Sequence, residues 1–421
     1  MAAALGVLVS CGSVKSGEEV VAASRDSKVV VAYVTSWSEV MPDPQYMTHI
    51  NYAFGHVNES FNGVKIDNEE RLRQIVDLRK QKPELKVLLS IGGWGSGRFS
   101  EMAANDEYRR AFAADCDRVV KEFALDGIDI DWEYPTSSMA NISSSPDDTE
   151  NFTLLMQDIR AAIGNEKELT LATVASARYI DFKAILPSVD FVNIMAYDMA
   201  SAPKHHSALY PSGHSGDITS DGAVTAHLKA GVPPSKLVMG MPFYGRGGDG
   251  YPSFQDYNKV GNTDTQYTEK WDEVAQVPYL ADKNDTLVFG FENPRSLAIK
   301  CQYILDKDLL GGMYWDYSGD NEQGDLRRTV AENLLGKPHK AKVLVLTERG
   351  GQHGGFTDAG LRWLAAEGVK GNFSITEINN ARNITEAYLS QFSLVIQLDF
   401  PPYTLSLIHI SEPTRPISIS Y

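Results

Sequence analysis

The ten residues DGIDIDWEYP, Asp126 to Pro135, place four carboxyl groups, Asp126, Asp129, Asp131 and Glu133, on one short apolar segment. Ile128, Ile130 and Trp132 lie between them, a pattern that belongs to a strand and not to a solvated acidic tail. Side chains on a strand alternate between faces, so Asp129, Asp131 and Glu133 share one face and the apolar residues take the other. Asp126 precedes the alternation and is expected to cap or support the start of the strand. Carboxyl groups crowded on a buried face cannot all ionise, because desolvation and like charge both raise their pKa. Asp129 and Asp131 are therefore read as a coupled pair sharing a proton. Glu133, at the open end, is read as an acid held protonated near neutral pH, which is what a general acid requires.

Seven comparable runs accompany this one: KVVVAYVTSW (28–37), HINYAF (49–54), KVLLSIGG (86–93), LTLATVA (169–175), FVNIMAYD (191–198), LVMGMPFYG (237–245) and GGMYWDY (311–317). Helical patterns separate most of them, as in residues 68–81, 106–125 and 294–306. Near-continuous apolar strands alternating with helices imply a parallel sheet covered on its outer face. Eight such units over residues 28–336 suit an α/β fold of the (β/α)8 TIM-barrel type, with an open doubly wound sheet as the other topology. In a barrel the active site lies at the C-terminal ends of the strands. Acids and aromatics collect at six of these ends: Trp37, Gly92-Gly93-Trp94, Asp131 with Glu133, Tyr197-Asp198, Tyr244 with Arg246, and Trp315-Asp316.

The 421 residues carry a formal net charge of -16, which argues against a sequence-independent nucleic-acid binder. No apolar run reaches the roughly 18 residues of a membrane span. Residues 1–11, MAAALGVLVSC, resemble the remnant of a bacterial lipoprotein signal ending at a lipidated Cys11, although the basic n-region is missing. Residues 12–27 would then be a linker, and the lipid at Cys11 the only membrane contact. The other cysteines, Cys116 and Cys301, fall in amphipathic helical patterns and read as buried free thiols. No Cys/His cluster has zinc spacing, and no metal or cofactor is expected.

After residue 336 a basic linker leads into a strand, a Gly-rich loop, a helix and two more strands. Residues 337–404 read as the first half of a flavodoxin-like α/β domain. The loop ERGGQHGGF matches neither a dinucleotide nor a P-loop fingerprint, and its His353 reads as a ligand, a base or an exposed loop histidine. LSLIHISEPTRP (405–416) has neither helical nor strand logic. Back-translated, it resembles a transposon-based sequencing adapter read as protein, so residues 405–421 are expected to be an artefact and a tail.

Glycoside hydrolysis usually takes two carboxyl groups on either side of the bond. Here the acids lie on one strand, and a substrate carrying its own nucleophile resolves the deficit. The 2-acetamido oxygen of N-acetylglucosamine can attack the anomeric carbon and form an oxazolinium intermediate. LLSIGGW and DGIDIDWEYP resemble the two signature motifs of glycoside hydrolase family eighteen, the chitinase family, the second fitting its D-x-x-D-x-D-x-E pattern completely. NIMAYDM and GGMYWDYSGD are similar to that family's sixth and eighth strands.

The resemblance implies that Glu133 is the acid/base, that Asp131 orients the acetamide and that Asp129 supports it. Tyr197 would donate to the acetamide carbonyl, and Asp198 and Arg246 would contact sugar hydroxyls. Trp315 would floor the reacting subsite, Tyr33, Phe54, Met195 and Tyr244 would line it, and Trp94 would stack on a neighbouring sugar. Ser90, Gly92 and Gly93 would serve backbone geometry. Phe54 and Met195 taken alone fit ordinary barrel core equally well. The implied partner is chitin or an N-acetylglucosamine oligosaccharide, met by a monomer that is secreted or held at a bacterial cell envelope. An endo-β-N-acetylglucosaminidase shares the mechanism, and a non-catalytic glycan-binding protein is the alternative outside enzymes. The segment from Arg246 to Gly290 is shorter than the domain many members insert there, so a shallower groove is expected. The C-terminal part resembles the trehalose-utilisation-type (ThuA-like) domain over its first half.

Overall fold

All eight apolar runs form parallel strands: β1 Val29–Thr35, β2 His49–Val57, β3 Lys86–Gly92, β4 Gly127–Asp131, β5 Glu168–Val174, β6 Phe191–Met195, β7 Leu237–Pro242 and β8 Gly311–Trp315. Each strand pairs with its sequence neighbour, and β1 pairs with both β2 and β8, which closes the barrel. A computed structural model describes residues 28–248, 251–260, 266–336, 341–347, 357–364, 373–378, 389 and 392–398. Cys11, the 12–27 linker, His353 and residues 405–421 lie outside the described residues. The chain divides into two compact units, residues 1–336 and 337–421.

Helices α1 Glu69–Val76, α2 Phe99–Ala104, α3 Asp106–Glu122, α4 Asp148–Ile163, α5 Phe182–Ile185, α6 Ser220–Lys229, α7 Pro294–Asp306 and α8 Asp325–Leu334 alternate with the strands from β2 onward. Local chemistry sets their starts. The Asn105 side chain accepts from the amides of Glu107 and Tyr108 at the head of α3. At α7, Asn293 and Ser296 form a capping box with Pro294 in the first turn.

The strands bury both faces. Outward residues such as Ile128, Ile130 and Trp132 join the shell beneath the helices, where Trp132 stacks on Phe99 of α2 at 5.3 Å. Inward residues Val31, Tyr33, Ala53, Phe54, Phe191, Val238 and Met313 form a separate inner cluster. Asp126 performs the supporting role expected of it: its Oδ2 accepts from the Val87 amide at 2.7 Å and from Arg79 at 2.5 Å. Cys116 and Cys301 are buried and free, on α3 and α7.

The segment between β7 and β8 forms a five-stranded antiparallel sheet. Its order is Gln255–Asp256, Tyr244–Gly247, Leu287–Gly290, Val277–Ala281 and Thr268–Asp272. It rises directly from the end of β7, so it places Tyr244 and Arg246 at the barrel mouth. In the second unit, strands Ala341–Thr347, Phe373–Ile378 and Leu394–Leu398 pair in parallel with the first of them in the centre, and residues 357–364 are helical.

Candidate active site

The acidic face of β4 points into the barrel. Asp129 is fully buried, and each of its oxygens faces two donors. Tyr33 Oη and Ser90 Oγ both donate to Oδ2 at 2.8 Å. Thr170 Oγ1 at 2.6 Å and Asn193 Nδ2 at 3.3 Å donate to Oδ1. Burial raises the Asp129 pKa, and all four donors oppose that rise by favouring the ionised form. Ser90 is thus more than a backbone element beside the site, as its hydroxyl contacts the carboxylate directly. Tyr33 also differs from expectation. Its ring lies 5.6 Å from Trp315 as a lining residue would, but its hydroxyl is committed to Asp129.

Asp131 lies two residues further along the same face. It too is buried, and its Oδ1 has no hydrogen-bond partner among the described residues. Burial raises its pKa well above the usual carboxylate range, the charge of Glu133 adds to that, and Asp129 contributes less. Asp129 is held by its four donors, and the charge of Glu133 acts on Asp131 more strongly than that of Asp129.

Glu133 stands two residues past the end of β4, and the Glu133–Tyr134 peptide bond is cis. Burial pushes its carboxyl up to about 7, the Tyr134 hydrogen bond pulls the other way, and the Asp198 charge raises it further. Glu133 thus holds a proton up to neutral pH and can release it there.

Opposite these acids the ends of β6, β7 and β8 supply the rest. Among the described residues Tyr197 Oη donates to the Met313 thioether at 3.8 Å, a weak partner that a better acceptor can displace. Its own pKa is raised by burial and by Asp131 and Glu133, so it remains a donor. Asp198 forms a two-pronged pair with Arg246, Nε to Oδ1 at 2.6 Å and Nη2 to Oδ2 at 2.5 Å. Burial would raise Asp198, but Arg246 and His206 together hold it well below the usual carboxylate range. Acid and anion are therefore separated by environment: Glu133 can be neutral at a pH where Asp198 is charged.

Aromatic rings wall the opening. Trp315 stacks on Phe54 at 5.6 Å and approaches Trp37 at 6.4 Å. Met195, Tyr197 and Trp315 pack against the inner cluster that contains Tyr33 and Phe54. Tyr244 meets Tyr197 edge-on at 6.1 Å. Trp37 and Trp94 are 63% and 62% exposed. The structure thus brings Tyr33, Phe54, Asp129, Asp131, Glu133, Met195, Tyr197, Asp198, Tyr244, Arg246 and Trp315 to one barrel mouth, with Trp94 beside Tyr134 on its rim, 6.5 Å between rings.

Several residues at this mouth escaped sequence reasoning. Thr170 and Asn193 complete the Asp129 cage, yet each is an ordinary polar residue on an apolar strand. Tyr134 stacks on Tyr179 at 5.4 Å, and Phe254 of the small sheet stacks on Tyr244 at 4.6 Å. The polar residues at inward parity on β5 and β6 were the only available signal. A separate cavity of about 1370 Å³, lined among others by Tyr257, Asn258, Tyr317 and Arg327, is not lined by Asp129, Asp131 or Glu133.

This arrangement has relatives. Residues 29–320 match glycosyl hydrolases family 18. The chain belongs to that family. The chain is 30% identical over 409 residues to chitinase A1 of Niallia circulans, covering 72% of this chain and 58% of that protein. It is 31% identical over 350 residues to chitotriosidase-1 of Mus musculus, covering 70% of this chain and 74% of the other. Among solved family 18 structures, an N-acetylglucosaminidase from Paenibacillus barengoltzii shares 32% identity at a TM-score of 0.67, over 73% of this chain and 99% of that one. A group IV chitinase from Ostrinia furnacalis in complex with allosamidin shares 29% identity at a TM-score of 0.65, over 72% and 97%.

Proposed function

We propose that this protein hydrolyses β-1,4 bonds between N-acetylglucosamine units by a retaining, substrate-assisted mechanism. The observation that carries the proposal is the acid series on β4, in which a caged Asp129 and a buried Asp131 lead to Glu133, held near pH 7 under a wall of aromatics. Glu133 donates its proton to the glycosidic oxygen as the bond to the anomeric carbon breaks. The acetamido oxygen of the same sugar attacks that carbon and closes the oxazolinium ring. Asp131, with one carboxylate oxygen unpartnered, accepts from the acetamide N–H and stabilises the developing positive charge. Tyr197 exchanges its weak sulfur contact for the acetamide carbonyl. Water then opens the ring from the vacated face, and the Glu133 carboxylate takes its proton, which restores the acid. Trp315 floors the subsite, where the apolar C–H face of a pyranose stacks on the indole. Phe54, Met195 and Tyr244 line it, and Trp94 stacks on the sugar beyond the cleaved bond. Asp198 and Arg246 contact hydroxyls.

The named relatives support chitin or chitooligosaccharide as substrate. The N-acetylglucosaminidase at 32% identity supports a second reading, in which single sugars are released from chain ends. The test is the product pattern from chitotetraose and colloidal chitin, with high-mannose glycopeptide as a control. Chitobiose and longer products indicate chitinase action, and N-acetylglucosamine alone from the first time point indicates the second. Cleavage of the glycopeptide alone would overturn both. We also propose that Cys11 is lipidated and that residues 337–404 form a ThuA-like, flavodoxin-like unit. Sequence supports the first, and the three parallel strands of the second unit support the other. Metabolic labelling with a fatty acid, lost in Cys11→Ser, tests the anchor.

A further inference from the structure

Trp94 sits at the tip of a tight turn whose far end is tied to another strand. Ser96 N donates to Gly93 O at 2.9 Å, closing a turn over Gly93-Trp94-Gly95-Ser96. Gly95 has φ +82°, the left-handed conformation that the third position of such a turn requires of glycine. At its root the turn is fixed: Gly93 N donates to Asp131 O at 2.9 Å, and a Cβ on Gly93 would lie 2.7 Å from the Phe54 ring. At its other end Ser96 Oγ lies 2.8 Å from His56 Nδ1, and His56 Nε2 lies 3.0 Å from Asp67 Oδ2. A carboxylate only accepts, so Nε2 carries the hydrogen, and in the neutral imidazole Nδ1 accepts from the Ser96 hydroxyl.

We infer that His56 is a positioning residue for the leaving-side sugar. Supported by Asp67, it holds Ser96 and so fixes the turn that presents Trp94. The inference rests on the proposed glycosidase reading, in which Trp94 stacks on the sugar beyond the cleaved bond. Six residues lie between Phe99 of α2 and the fixed end of β3 at Gly92, and three of them are glycines with a free backbone. Without a side-chain tie, this stretch spreads over many conformations, and the indole loses its set position. His56 touches neither the acids of β4 nor the floor at Trp315, and its ring meets the subsite only at the edge of Phe54, 6.3 Å between rings, so the larger effect falls on substrates that use the Trp94 platform.

Steady-state kinetics on the full chain test this, comparing chitotetraose with an aryl chitobioside, whose activated leaving group depends less on stacking. In His56→Ala and in Ser96→Ala, KM for chitotetraose should rise about five-fold, the factor that corresponds to about 1 kcal/mol of lost contact. Turnover of the aryl chitobioside should stay within about two-fold, and His56→Gln, which keeps a donor and an acceptor, should recover part of the loss. In a Trp94→Ala background the same changes should add nothing. Equal losses on both substrates, or full additivity with Trp94→Ala, would overturn the inference. So would release of acetate from an acetyl ester that Ser96→Ala abolishes, because Ser96 would then be a nucleophile. Failure of the wild type to cleave either sugar would instead refute the glycosidase reading.

Discussion

Replacing Glu133 by glutamine should inactivate the protein and stabilise it at alkaline pH. The folded structure holds this carboxyl at about 7, against an ordinary glutamate value of 4.5. Above pH 7 the folded protein therefore carries a charge in a site that disfavours it, while the unfolded chain carries the same charge in water. At about 1.36 kcal/mol per pKa unit, the raised value lowers wild-type stability by about 3 kcal/mol at pH 8. Below pH 4.5 the group is neutral in both states and the cost disappears. Glutamine is neutral throughout, so the gap between Glu133→Gln and wild type should open between pH 4.5 and 7 in favour of the variant. For a domain of this size, 3 kcal/mol moves the melting temperature by about 5 °C. Urea or thermal unfolding at pH 4.5, 6 and 8 measures the gap, and chitooligosaccharide turnover should fall about a thousandfold. The wild-type rate should itself decline above about pH 7 as the acid ionises. A gap that is the same at every pH would refute the account of Glu133 as a carboxyl raised by burial. Full activity in the variant would refute the glycosidase assignment.

Other perturbations separate the remaining roles. Asp131→Asn should lower kcat by about 100-fold with little change in KM, because it weakens stabilisation of charge that develops only in the transition state. Tyr33→Phe removes one of the donors to buried Asp129 and should destabilise the fold by about 2 kcal/mol, read by urea unfolding. Lys300→Met should be more damaging. Lys300 pairs with Glu292 in the fully buried interior and donates to Ser207 O at 2.5 Å, so its loss strands a carboxylate. A cost of about 4 kcal/mol is expected, largely recovered when Glu292→Leu is added. Equal damage in the double variant would show that Ser207 and its loop carry the effect.

Much of the fold was legible because its periods are local. The alternation in DGIDIDWEYP assigned Ile128, Ile130 and Trp132 to the helix side and the acids to the lumen, and the structure agrees. The eight apolar runs, the helix at 294–306 and the free thiols could be read in the same way. The segment after Arg246 was harder, because its short strands of mixed polarity form a sheet only by pairing with one another and with the end of β7.

What the sequence alone determined was which residues face inward and at which strand end the chemistry gathers, since both follow from a two-residue repeat and the direction of the chain. Tertiary structure decided which inward residues meet. The four donors on Asp129 come from β1, β3, β5 and β6, separated by 96, 39, 41 and 64 residues from it. Their common height depends on how far each strand is staggered when the barrel closes, and strand periodicity carries no information about stagger. The same closure left Asp131 buried with its Oδ1 unpartnered among the described residues, where the charge of Glu133 outweighs that of Asp129. A carboxylate already surrounded by neutral donors has little need of a neighbour's proton, whereas Glu133 beyond the strand has fewer donors and a charged partner in Asp198.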